Sequence, residues 1–215
     1  MKIKICGLTK VSEAEYLNEN NVDYAGFVFY NPSKRNVSVD EVKSIMSALD
    51  SSIKKVAVTV SPDIDLIEKL CELDFDILQI HKKLKPEVIA AASIPIWYAM
   101  NIEDEEEYNN KLIELNNLPL ELNEKIKGIV VDAPQFGSGR PFNWRKSKRL
   151  KKAGSQSPPI FEREFILAGG LNAENVAEGI EIFSPDVVDV SSSVEGANGK
   201  DRDLIKQFVS AVRNS

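Results

Sequence analysis

Eight short runs rich in β-branched and aromatic residues recur along the chain, separated by longer stretches with helical apolar spacing. They cover residues 2–6, 24–29, 55–60, 77–80, 96–100, 128–131, 165–168 and 187–190. Strands that alternate with helices pair in parallel, because a parallel neighbour is reached only through a crossover. Eight such units within 215 residues predict an α/β fold, a single (β/α)8 TIM-barrel domain over residues 1–215. A doubly wound open sheet meets the same pattern. Both architectures bind ligands at the C-terminal ends of their strands. Function is therefore sought at Cys6-Gly7, Asp132-Ala133, Ala168-Gly169-Gly170 and Ser191-Ser192.

Helix signals fill the gaps. Ser12 stands as an N-cap before Glu13-Ala14-Glu15-Tyr16-Leu17. Apolar residues fall at helical spacing over 39–49, 63–73 and 172–183. Leu204, Ile205, Phe208, Val209 and Val212 form one stripe over 203–212. Pro119 inside 109–127 predicts a broken or extended fifth helix, and Pro158-Pro159 a loop over 155–164.

Charge narrows the partners. Lys plus Arg number 27 against 33 Asp plus Glu, a net −6 that opposes nucleic acid and membrane surfaces as ligands. A few local donors can still seat a small anion. Cys6 and Cys71 are too few for a disulfide framework, and one histidine with no C-x-x-C pair leaves no metal site. The start of the chain lacks the apolar segment of a signal peptide, and no run reaches membrane-spanning length. Asn36-Val37-Ser38 matches a glycosylation triplet by chance, so a cytoplasmic, reducing setting is expected.

Four ordered segments carry a more specific signal. They are Lys4-Ile5-Cys6-Gly7-Leu8-Thr9; Ala25-Gly26-Phe27-Val28-Phe29 with Ser33-Lys34-Arg35; Val131-Asp132 with Gly137-Ser138-Gly139 and Phe142-Asn143-Trp144; and Leu167-Ala168-Gly169-Gly170-Leu171 with Asn175-Val176, Val188-Asp189-Val190-Ser191-Ser192 and Val194-Glu195. Leu78-Gln79-Ile80-His81 adds a weaker match. Together the chain resembles the phosphoribosylanthranilate isomerase family of tryptophan biosynthesis. It departs from the family pattern at Lys82 and Ser193, where glycine is usual, and at Phe136 and Asn143.

The resemblance implies an isomerase that needs no cofactor and no metal. Its reaction is an Amadori rearrangement of N-(5′-phosphoribosyl)anthranilate. An acid protonates the furanose ring oxygen, C1′–O opens to a Schiff base, and a base removes the C2′ proton to give an enolamine that tautomerises to the ketone. The resemblance assigns the base to Cys6 and the acid to Asp132. It assigns the substrate carboxylate to Arg35, sugar contacts to Asp189, a loop over the ligand to Gly137 and Gly139, and the phosphate to Gly169, Gly170, Ser192 and Ser193. The implied partner is a phosphorylated small molecule, with the protein a monomer or a homodimer.

The chemistry makes demands on those groups. A free thiol near ~8.5 is mostly protonated at neutral pH, and Lys4, on the same strand face as Cys6, is expected to favour the thiolate. A free Asp near ~3.9 is ionised, so Asp132 needs burial or a neighbouring thiolate to act as an acid. Each residue also has a plainer reading: Cys6 as a small buried hydrophobe, Asp132 as a turn or cap, Arg35 as solvated, paired glycines as turns. His81, the only histidine, reads as a general base or equally as a satisfied or solvent-facing residue, and Cys71, Trp97 and Trp144 as packing. Glu103 to Glu107 reads as a solvated helix face. Two other functions compete: another phosphosugar isomerase, and a barrel that binds a phosphorylated ligand as sensor or assembly partner without turnover.

Overall fold

The computed structural model describes residues 1–102, 105–132 and 163–215. Eight parallel strands close into a barrel in chain order: β1 (Lys2–Cys6), β2 (Tyr24–Phe29), β3 (Lys54–Val60), β4 (Ile77–His81), β5 (Ile96–Asn101), β6 (Ile126–Asp132), β7 (Glu164–Leu167) and β8 (Val187–Val190). Closure runs through Lys4 opposite Asp189 and Ile5 opposite Val190, which rules out the open sheet. The β6–β7 connection lies outside the described residues, and with it Gly137, Gly139, Phe136, Asn143, Trp144 and Pro158-Pro159.

Around the barrel lie α1 (Val11–Glu19), α2 (Val39–Met46), α3 (Ile64–Cys71), α4 (Pro86–Ala91), α5 (Glu105–Asn116), α6 (Leu120–Asn123), α7 (Val176–Phe183) and α8 (Arg202–Arg213). The fifth helical segment is broken as expected. Pro119 has no N–H to continue a helix and caps α6 instead. The cap of helix α1 lies two residues before the expected one. Its N-cap is Lys10 and not Ser12, because the Glu13 carboxylate reaches back to the N–H of Thr9 at 2.6 Å and of Lys10 at 3.2 Å. Asp63 and Asp201 cap α3 and α8 through bonds to Leu66 N–H and to Asp203 and Leu204 N–H.

Strand alternation divides the core in two. Ile3, Ile5, Phe27, Leu78, Ile80, Met100, Val131, Leu167 and Val188 face outward and pack under the helices. Tyr24, Val28, Val56, Val58, Trp97, Ala99, Val130, Ile166 and Val187 point inward and fill the barrel. Trp97 is its anchor, 5.0 Å from the Tyr24 ring, and Gly128 is glycine because a Cβ there would strike the indole. Cys71 packs against the outer core as expected.

Candidate active site

The inward residues change character at the C-terminal end of the barrel. Cys6 packs against the inner apolar cluster, and Asp132 shares the parity of inward Val130. By the same alternation His81 and Asn101 end their strands inward, and Asp189 points inward one residue before the end of β8. Cys6 and Asp132 are therefore brought to one mouth, two intervening strands apart.

Glycine makes room for the thiol. Cys6 pairs with Gly26 across β1 and β2, where a Cβ would lie 2.9 Å from Cys6 Sγ and 3.0 Å from its Cα. At Gly7, φ is +87°, and a Cβ would collide with Arg35 Cδ. One layer below the thiol, Lys4 is fully buried and donates to Asp189 Oδ2 at 2.7 Å. Burial works against the ammonium, but the opposing charges of Asp189 and Cys6 outweigh it and hold Lys4 charged. Burial pushes the Asp189 carboxyl up despite Lys4 and Lys200, and its Oδ1 has no hydrogen-bond partner among the described residues.

Burial also pushes the Cys6 thiol up. Lys4 and Lys200 oppose that shift without overcoming it. Lys4 thus stands where the sequence placed it, with the expected sign, but desolvation is the larger effect. His81 is buried, contacts Gln79 Nε2 through its own Nε2 at 2.9 Å, and is pushed down to about 4 by burial and by Lys4. It is a neutral imidazole at physiological pH.

Arg35, in the loop after β2, binds within the protein. Its Nε donates to Glu195 Oε1 and its Nη2 to Glu195 Oε2 at 3.0 Å, a side-on bidentate pair. The Nη1–Nη2 edge keeps no acceptor among the described residues. Glu195 begins a two-stranded ribbon, β9 (Glu195–Gly196) with β10 (Gly199–Lys200), that follows β8. Lys200 reaches Glu195 at 2.8 Å and Lys34 reaches it at 3.0 Å. Burial resists the Glu195 charge, but Arg35, Lys200 and Lys34 together hold its carboxyl down at about 2.

Between β7 and β8 lies a set of amides. Gly169 and Gly170 adopt φ of +82° and +72°, and Asn175 Nδ2 donates to the Gly170 carbonyl at 3.0 Å to fix that turn. Ser192 to Val194 form a single 3-10 turn after β8. Among the described residues, the N–H groups of Gly169, Gly170, Ser192 and Ser193 have no protein acceptor. The Ser193 hydroxyl donates to the Leu171 carbonyl and ties the two turns together.

The two described departures from the resemblance behave differently. Lys82 keeps the left-handed conformation, φ +66°, which a glycine would adopt without strain. Ser193 is not in positive φ, so its side chain imposes no backbone strain.

No role was assigned in sequence to Glu195, Lys200 or Glu13, although Glu195 stood within the ordered match and Glu13 within the first helix pattern. The available signal was parity: Lys4 is one charge inside an apolar strand and Asp189 another, and each implies a buried partner.

Residues 3–211 match the family profile described as N-(5′-phosphoribosyl)anthranilate isomerase. A protein of that name from Clostridium kluyveri is 36% identical over 217 aligned residues, covering 100% of this chain and 98% of the relative. The crystal structure of the phosphoribosyl anthranilate isomerase from Thermotoga maritima superposes with a TM-score of 0.84 at 26% identity, with both chains covered completely. An isomerase structure in complex with reduced 1-(o-carboxyphenylamino)-1-deoxyribulose 5-phosphate superposes with a TM-score of 0.78 at 26% identity, again covering 100% of each chain. With its closed barrel and its match along nearly the whole length, this chain belongs to the N-(5′-phosphoribosyl)anthranilate isomerase family.

Proposed function

We propose that the mouth isomerises N-(5′-phosphoribosyl)anthranilate to 1-(2-carboxyphenylamino)-1-deoxyribulose 5-phosphate, with Cys6 as base and Asp132 as acid. The observation that carries this reading is the inward thiol of Cys6 near buried Lys4, at the same barrel end as four amides with no acceptor among the described residues. Those amides of Gly169, Gly170, Ser192 and Ser193 suit a phosphate, which takes several N–H donors at once. Arg35 takes the ring carboxylate through its Nη1–Nη2 edge, the fork that Glu195 leaves unused.

Asp132 protonates the ring oxygen, C1′–O breaks, and the nitrogen lone pair forms the Schiff base. Cys6, as the thiolate, then takes the C2′ proton and becomes the thiol, and the electrons of the broken C–H bond form the enolamine. Lys4 supports the thiolate before the transfer, the charge relation that opposes burial in the resting site. Asp189 points inward one layer below Cys6 and, with one oxygen lacking a partner among the described residues, is suited to a sugar hydroxyl. The steps move protons only, so the chemistry requires neither metal nor redox cofactor. A working thiol suits a reducing compartment such as the cytosol.

Purified protein is expected to convert phosphoribosylanthranilate, and the gene to restore growth of a tryptophan auxotroph lacking this step. A folded protein that does neither would favour the ligand-binding barrel instead.

A further inference from the structure

We infer that Lys200 is a positioning residue for substrate recognition: acting through Glu195, it fixes the guanidinium of Arg35 that receives the substrate's carboxylate. This rests on reading Arg35 as the carboxylate ligand.

Lys200 lies on a ribbon beyond the last barrel strand, yet its side chain is only 1% exposed. A buried ammonium persists only when its protons are met, and the acceptors here are specific. It donates to Glu195 Oε1 at 2.8 Å and to the Ser191 carbonyl at 3.0 Å, with Ser191 Oγ at 3.4 Å. The Ser191 hydroxyl in turn donates to the Cys6 carbonyl at 2.8 Å. Its ammonium is thereby tied to the end of β8 and, through Ser191, to the end of β1, the rigid frame of the site.

The backbone is anchored independently. Lys200 N–H donates to Glu13 Oε1 at 2.8 Å, and the other oxygen of that buried carboxylate holds Thr9 and Lys10. Lys200 also lies directly opposite Glu195 in the ribbon. Gly199, at φ +113°, leaves space for Glu13 that a Cβ would take. A fixed cation thus presents a fixed carboxylate, and that carboxylate presents the guanidinium side-on. Lys34 adds charge to Glu195 but its side chain is 74% exposed, so it cannot set the geometry.

A cation serving the fold alone would act equally on every substrate. One acting through Arg35 affects only substrates bearing the ring carboxylate. The test is a kinetic double-mutant cycle on the full chain, Lys200→Met and Arg35→Met singly and together. The substrates are phosphoribosylanthranilate and the phosphoribosyl derivative of aniline, which lacks the carboxylate. Lys200→Met is expected to raise KM for phosphoribosylanthranilate about tenfold while kcat stays within about threefold. In the Arg35→Met background, or with the aniline substrate, it is expected to change KM less than about twofold.

An equal rise for both substrates, or a full rise without Arg35, overturns the inference and leaves Lys200 a structural residue. If Lys200→Met does not fold, Glu195→Gln is put through the same cycle with the same expectations. Wild-type protein that turns over neither substrate overturns the functional reading itself. An Arg35→Met protein with unchanged KM overturns the arginine's role, and the inference with it.

Discussion

Gly26→Ala adds one methyl group where the site is tightest. The new Cβ would lie 2.9 Å from Cys6 Sγ, 3.0 Å from Cys6 Cα and 3.2 Å from Cys6 Cβ. Ordinary van der Waals contacts begin near ~3.5 Å, so the deficit is about half an ångström. Turning the thiol relieves the first contact but not the second, which is backbone. The β1 strand end must move, and overpacking of this kind costs about 1–3 kcal/mol. For a domain of this size that is a drop in Tm of roughly 2–12 °C. Displacing the base by a fraction of an ångström to one ångström is expected to lower kcat by about 100-fold. KM should change less, because the proposed phosphate donors hang on β7 and β8. Gly128→Ala is the control, since its Cβ would meet Trp97 and Ile166 inside the barrel. It should lose comparable stability and keep its kcat. The two variants are compared by thermal unfolding and steady-state kinetics. A Gly26→Ala enzyme with kcat within about threefold of wild type would refute the claim that this contact seats the base.

Three further outcomes are expected. Alkylation of Cys6 by iodoacetamide should have its pH midpoint above the ordinary thiol range, because burial outweighs Lys4 and Lys200; a midpoint below neutrality would contradict this ordering of effects. Glu195, held at about 2 against an ordinary 4.5, stabilises the fold fully above about pH 4.5 and loses that contribution as pH falls toward 2. Thermal unfolding of wild type should therefore fall more steeply over this window than that of Glu195→Gln, by at most roughly 3 kcal/mol, and parallel curves would count against the ion cluster. Lys82→Gly should raise stability by about 0.5 kcal/mol by relieving positive φ, whereas Ser193→Gly should lower it by about 1 kcal/mol through the lost bond to Leu171. Denaturant titration reads both, and equal signs would show that the two positions are not distinguished by backbone conformation.

Strand positions were legible because their information is local. All eight runs fall on strands, three with the same ends and five with ends shifted by one or two residues. The start of α1 was not, since Glu13 is held by Thr9, Lys10 and Lys200 at once, and the last lies 187 residues away. The same distance hid most of the polar site. Lys4 and Asp189 are separated by 185 residues and Arg35 and Glu195 by 160, so only closure of the ring joins them. Cys6 and Asp132 could be placed at the mouth because a strand end and a side-chain parity are readable without knowing the partner. The strength of the Cys6 desolvation could not be read, since it depends on every neighbour around the barrel.

Turnover of phosphoribosylanthranilate by Cys6→Ala and Asp132→Asn tests the acid and base assignment most directly. Each is expected to lose about 10³-fold or more in kcat, with KM little changed and the double variant no worse than about the poorer single one. Either variant turning over near the wild-type rate would contradict the assignment of proton transfer to that residue.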